Sequence, residues 1–313
     1  MTESKKPNEV QAFGREFAAC WQRLPNKFFF FALLAAWLAL FHFLGNSTFG
    51  YYDTSSLLAW MDHAYGYVGN DDEHGRVIPL VVLGLFWWKR EKLLAQPIQV
   101  WWPGLAMVGL ALGLHLFGFV AQQARISIVA LFAGIYGLMG LAWGRDWLRA
   151  SFFPFFLLAF CVPFGSLGEA ITVPLRILAT GLSAGVAHVV GIDVIREGTQ
   201  IFDAQRSFNY DVAPACSGIR SLVALVTLSI IYGFIYFPSN WKRLALVASA
   251  FPLAVAGNVF RLTVIIVTAE VFGQGAGNFV HENALLSLLP YVPAIGGLLL
   301  LVRWMGKSEK KRA

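Results

Sequence analysis

Long apolar runs constrain this chain more than any other feature. Trp101–Val120 and Ile126–Trp143 contain no charged residue, and Gly218–Phe237 and Leu244–Phe272 contain very few. Each is near the ~20 residues that carry a helix across a ~30 Å hydrocarbon core. In that core every backbone N–H and C=O must find its partner within the structure, which leaves helices as the natural solution for such runs. Composition agrees: 57% of the residues are hydrophobic, 13% are charged, and the mean hydropathy is +0.61. A soluble domain of this size breaks its apolar runs with charged surface positions far more often.

Eight spans are expected: Phe28–Leu44, Gly75–Trp88, Trp101–Val120, Ile126–Trp143, Ser151–Phe164, Gly218–Phe237, Leu244–Phe272 and Leu285–Trp304. The second and fifth are short for a crossing, and either can be a re-entrant segment. Trp87, Trp88, Trp101 and Trp102 flank spans, as interfacial anchors do. The sequence thus reads as an all-α polytopic membrane protein with one transmembrane domain, 28–304, between an N-terminal segment, 1–27, and a basic tail, 305–313. The first run is read as a retained span, since a long polar segment precedes it and no small-residue cleavage pattern follows.

Loop charges set the orientation. Lys5, Lys6, Arg15, Arg23 and Lys27 precede the first span, and Lys89, Arg90 and Lys92 follow the second. Both groups belong in the cytoplasm by the positive-inside rule, and so, on continuing the count, do Arg145, Lys242 and the basic tail. Both termini are then cytoplasmic. The net charge of +6 is explained by this distribution; no nucleic-acid partner is expected, and membrane lipids are the expected surroundings.

The opposite face receives the long stretch Gly165–Ser217. Within it Ile171–Val190 carries Pro174, Arg176, Thr180, Ser183 and His188 among apolar residues, which suits an amphipathic helix at the interface. Asp193–Ala213 alternates polar and apolar residues around Gly198 and predicts a small extracytoplasmic hairpin, with Val194, Ile201, Phe202, Phe208 and Val212 buried.

This topology separates the three cysteines. Cys20 is cytoplasmic, Cys161 lies in an apolar helix without polar neighbours, and Cys216 stands at the outer end of the sixth span. Cys216 sits in Pro214-Ala215-Cys216-Ser217-Gly218-Ile219-Arg220, just before or within a first helical turn, where the helix dipole favours a thiolate. Arg220 is one turn further on the same face, able to stabilise that thiolate or a substrate carboxylate.

In the seventh span Asn258 and Arg261 share a helix face. Arg261 lies roughly 25 Å from the cytoplasmic end at ~1.5 Å per residue, which is the outer part of the core. His281 follows in the outer loop Gly273–Ala284 and is the candidate for proton transfer near neutral pH. Each residue also has an ordinary reading: a cysteine at a helix end packs as a small hydrophobe, an intramembrane arginine pairs structurally, here with Glu270 or Glu282, and a loop histidine is solvated. Their common level favours a site. Asp71, Asp72, Glu73 and His74 lack further spaced ligands, and no HExxH, paired CxxC, phosphate loop or GxSxG elbow occurs, so no metal and no cofactor is expected.

The strings PACSGIRSL (Pro214–Leu222) and GNVFRL (Gly257–Leu262), followed by His281 in an outer loop, resemble the exosortase/archaeosortase family of membrane transpeptidases, as does EHGRVIP at Glu73–Pro79. The resemblance implies Cys216, Arg261 and His281 as the catalytic set, with Ser217, Arg220 and Asn258 as accessory or substrate-binding residues. It implies a bacterial inner-membrane enzyme whose partners are exported proteins with a C-terminal signal. That signal comprises a short motif, often Pro-Glu-Pro, an apolar helix and a basic cluster; the cut protein is transferred to an envelope acceptor the sequence does not identify. Two alternatives stay open: an intramembrane cysteine protease that only hydrolyses, and a non-enzymatic transporter of an anionic envelope lipid or polysaccharide.

Overall fold

The computed structural model describes residues 9–48, 52–67, 72–163, 166–206, 209–211, 219–283, 286–288 and 291–310, with backbone alone at 166–172, 209–211, 219–221, 240, 282, 287 and 307–310. The chain divides into two compact units, Met1–Ala64 with Gly75–Pro163 and Tyr65–His74 with Phe164–Ala313.

The first unit opens with α1 (Glu9–Arg23) and α2 (Lys27–Phe43), bent by 94° at their break. The bend turns on Asn26, held at a left-handed φ of 50°, whose side-chain amide donates to the Ala142 carbonyl at 2.8 Å. Short polar side chains tolerate that conformation better than others. Then follow α3 (Leu57–Gly66) and a 3-10 turn at Glu73–Arg76, of which Tyr65, Gly66, Glu73 and His74 count with the second unit, and α4 (Ile78–Trp88), α5 (Arg90–Leu94), α6 (Pro103–Val120), α7 (Ala124–Trp143), α8 (Arg145–Phe156) and a second 3-10 turn at Leu157–Cys161.

Helices α6 and α7 pack closely in this unit, and small residues let their backbones meet. A Cβ added to Gly104 would lie 2.7 Å from the Gly137 carbonyl oxygen, and one added to Gly137 would lie 2.9 Å from that of Gly104. Trp37 of α2 lies over Gly134 and donates its indole N–H to the Leu131 carbonyl at 3.0 Å. The outer face of α6 carries Leu105, Leu110, Leu116, Phe117 and Val120 exposed, while Gly104, Ala111, His115 and Gly118 are buried. Apolar outside and small or polar inside is the arrangement a helix adopts in lipid, and the reverse of a soluble one.

The second unit is built on α11. Its elements are α9 (Ser166–Val189), β1 (Val194–Glu197), β2 (Gln200–Asp203), β3 (Asn209–Asp211), α10 (Ile219–Tyr236), α11 (Asn240–Phe272), α12 (Gln274–Glu282), a 3-10 turn at Leu286–Leu288 and α13 (Tyr291–Lys310). Leu222 and Leu225 of α10, Leu246, Ala250 and Ala254 of α11, and Ala294 and Leu298 of α13 make its principal core. The sheet is antiparallel in the order β1-β2-β3, with Glu197 opposite Gln200 and the turn at Gly198, whose φ is 62°. This is the hairpin expected from the sequence, with a third strand added. Val194 and Ile201 are buried and Phe202 is half-buried, while Phe208 and Val212 lie outside the described residues.

Only part of the span assignment is met by helices of full crossing length. Among the described residues three helices are long and apolar enough to cross a membrane, Pro103–Val120, Ala124–Trp143 and Trp241–Phe272, or four if the bent pair α1 and α2 is one span. The expected second span is a 3-10 turn followed by the 11 residues of α4. The expected fifth span begins six residues earlier, at Arg145 of α8, carries Pro154 inside the helix and continues as a 3-10 turn to Cys161. Proline removes a ladder hydrogen bond and crowds the preceding turn, and the α-helix gives way to the 3-10 turn three residues after it. Cys161 is fully buried, with its thiol 3.7 Å from the Gly75 carbonyl oxygen, as a packing residue.

Helix α9 is also amphipathic in the opposite sense to the one expected of a helix lying at an interface. Thr180 and Ser183 are fully buried, whereas Val173, Ile177, Leu178, Leu182 and Val189 are exposed. The helix packs along α11 through Ala179 against Leu262 and through Ala184 and Ala187 toward Ile266. Polar groups therefore turn toward protein and apolar ones away from it, as hydrocarbon surroundings demand.

Candidate active site

The candidate site lies along the distal half of α11. Asn258 and Arg261, one turn apart, are 3% and 7% exposed. After Phe272 the chain reverses at Gly273, whose φ of 89° is one that glycine adopts without strain. Helix α12 then runs back along α11. Gly277 permits the close approach: a Cβ there would lie 2.7 Å from the Ala269 Cβ. This return brings the end of α12 to Arg261, whose Nη2 donates to the His281 carbonyl at 3.3 Å. Two residues 20 positions apart, both singled out from the sequence, are thus adjacent. His281 is half-buried and makes a further interaction of its own.

Helix α10 also packs against α11. It runs antiparallel to α11: an added Cβ on Gly233 would lie 3.5 Å from the Arg243 Cα, and Leu222, eleven residues nearer the N-terminus, shares a core with Ala254, eleven residues further along α11. The same register carries Ile219, the first residue of α10, to about the level of Asn258. Arg220 is the second residue of this helix and contributes its backbone position only. Cys216 and Ser217 lie outside the described residues, three and two positions ahead of Ile219 in the sequence.

The electrostatics of this region follow from burial. Arg261 Nε is buried and has no hydrogen-bond partner among the described residues, and the same holds for Arg176 Nε and Ser183 Oγ of α9. A guanidinium in low-dielectric surroundings is costly unless anions or acceptors approach it. The chemical capacity of the arrangement is therefore to receive an anionic or carbonyl-rich group beside Arg261. Among the described residues no three His, Cys, Asp or Glu side chains gather as a metal site would require.

Arg176 was legible in the sequence only as a polar position in α9; the arginine-threonine-serine spacing Arg176, Thr180, Ser183 marks one helix face. What spacing alone cannot say is whether that face looks into the protein or away from it.

The chain matches the family model described as transmembrane exosortase (Exosortase_EpsH) over residues 60–295. No curated protein and no solved structure matches it. The matched segment holds α9 to α12 entire, with the Cys216 string, Asn258, Arg261 and His281 inside it, and it takes in three-quarters of the sequence. On that match, the chain is a membrane protein belonging to the transmembrane exosortase family.

Proposed function

We propose that the protein is a membrane-embedded cysteine transpeptidase that cleaves the C-terminal sorting signal of exported proteins and transfers the shortened chain to an envelope acceptor. The observation that carries this reading is the buried Arg261 guanidinium held beside His281, inside a segment that matches the exosortase model.

In this mechanism the Cys216 thiolate attacks the scissile carbonyl carbon. Arg261 stabilises the developing oxyanion, for which a preorganised cation in a water-poor site is well suited. As the C–N bond breaks, His281 gives its proton to the leaving amine, and the acyl group remains on Cys216 as a thioester. His281, now neutral, takes a proton from the acceptor amine or hydroxyl as it attacks that thioester, and Cys216 leaves as thiolate. Arg220, Ser217 and Asn258 orient the peptide and the thiol. The enzyme sits in the bacterial inner membrane with about eight spans, domain 28–304 between cytoplasmic termini, and the site on the extracytoplasmic side.

The test is co-expression with a reporter protein ending in Pro-Glu-Pro, an apolar helix and a basic cluster. Wild type is compared with Cys216→Ala and Arg261→Ala at verified membrane abundance. Loss of processing in both variants supports the cysteine mechanism. A product bearing an added group identifies transfer, and a product with a free carboxylate identifies hydrolysis.

A further inference from the structure

Helices α9 and α11 run in the same direction, and the line along which they touch has two sides. Ala179 meets Leu262 with Val259 beside them, and further along Ala184 and Ala187 share a core with Ile266. On one side of this seam an apolar groove of about 770 Å³ is lined by Leu178 and Leu182 of α9 and by Ala256 and Thr263 of α11, among others. Helical spacing puts Arg176, Thr180 and Ser183 on the other side for α9, and Asn258 and Arg261 on that same side for α11. Burial agrees, since Thr180, Ser183, Asn258 and Arg261 are all buried.

The register along the seam fixes the level of Arg176. Ala179 lies opposite Val259 and Leu262, so Arg176, three residues earlier in a parallel helix, comes to about the level of Asn258. That is one helical turn, roughly 5 Å, short of Arg261. Arg176 Nε is buried without a hydrogen-bond partner among the described residues, as are Arg261 Nε and Ser183 Oγ. Three buried polar atoms on one side of a helix seam, two of them in guanidinium groups, thus have no partner among the described residues, and groups of this kind call for an acceptor. No carboxylate forms an ion pair with Arg176 or Arg261 among the described residues.

We infer that Arg176 is a specificity residue of the candidate site, and that it takes a carboxylate side chain of the peptide substrate within about two residues of the scissile bond. This rests on the transpeptidase reading. An extended peptide rises ~3.3 Å per residue, so with its scissile carbonyl at Arg261 a side chain one or two residues away reaches the level of Arg176. A guanidinium presents parallel N–H donors that match a carboxylate in a bidentate fashion, and lysine does not reproduce that geometry. Arg176 therefore acts on which peptide is held, and Arg261 on the bond that reacts.

The experiment uses the full-length enzyme with two co-expressed reporters, one ending in Pro-Glu-Pro, an apolar helix and a basic cluster, the other identical except for Pro-Gln-Pro. Wild type is expected to process the Glu reporter about tenfold or more faster than the Gln reporter. In Arg176→Gln the Glu-over-Gln ratio is expected to fall to about one, the coupling a direct contact produces and a general loss of structure does not. Membrane abundance is measured alongside, and if Arg176→Gln fails to accumulate, Arg176→Lys reads the same ratio, with a weakened preference expected. Equal slowing of both reporters, an undiminished preference in either variant, or hydrolysed product replacing transferred product overturns the inference; the last outcome would move the anion from the peptide to the acceptor. Processing that survives Cys216→Ala sinks the transpeptidase reading beneath it, whereas Cys216-dependent processing without the coupling sinks the inference alone.

Discussion

Arg261 on α11 reaches His281 on α12 through the backbone, its Nη2 donating to the His281 carbonyl oxygen at 3.3 Å. Any residue at position 281 supplies that carbonyl. His281→Ala should therefore leave Arg261 in place and abolish reporter processing with little change in the unfolding temperature in detergent. Arg261→Ala removes the donor that ties α12 to α11 and should cost both activity and about 1 kcal/mol or more of stability. A matching loss of stability in His281→Ala would contradict this division.

The docking of α12 turns on one glycine. Gly277 has the Ala269 Cβ 2.7 Å from where its own Cβ would be, whereas Gly275, in the same helix, has nothing within 4 Å. Gly277→Val should displace α12, pull the position 281 carbonyl from Arg261 and lower processing at least about tenfold, since catalytic groups shifted by about an ångström lose that much or more. Gly275→Ala should process at the wild-type rate. Both are read by reporter processing normalised to membrane abundance.

In the first unit the α6–α7 contact makes a stability prediction free of the site. Gly137→Val drives a side chain into the Gly104 carbonyl and the Val108 side chain, and should destabilise the protein by about 1–3 kcal/mol. Gly109, with nothing within 4 Å, should accept alanine within about 0.5 kcal/mol. Thermal unfolding in detergent, with both variants beside wild type, separates the two.

Much of the helix content was readable because apolar runs and proline or glycine breaks are local signals. Trp101–Val120 and Ile126–Trp143 are close to α6 and α7. The closeness of Arg261 to His281 was readable only as a shared level: an arginine in an apolar run is costly to place idly, and the histidine follows in the next outer loop. The bend at Asn26 was not readable, because it depends on a hydrogen bond to Ala142, 116 residues away. Nor was the inward turn of Arg176, Thr180 and Ser183: the same periodicity serves a helix facing water with its polar side and one facing lipid with its apolar side, and only packing against Leu262 and Ile266 decides.

The bend itself can be tested. Asn26 combines a φ of 50° with its bond to Ala142, so Asn26→Ala should cost about 2–3 kcal/mol, part from the left-handed backbone and part from the lost bond. Asn26→Gly keeps the backbone free to adopt that φ and should cost about 1 kcal/mol. Equal costs in urea or thermal unfolding would show that the left-handed conformation is not held in solution.

The most direct test of the central claim is mass spectrometry of the processed Pro-Glu-Pro reporter from cells carrying wild type or Cys216→Ala at equal membrane abundance. The account predicts a reporter shortened at its C-terminal signal and carrying an added group in the wild type, and the intact reporter alone in Cys216→Ala. The same shortened product from Cys216→Ala would contradict it.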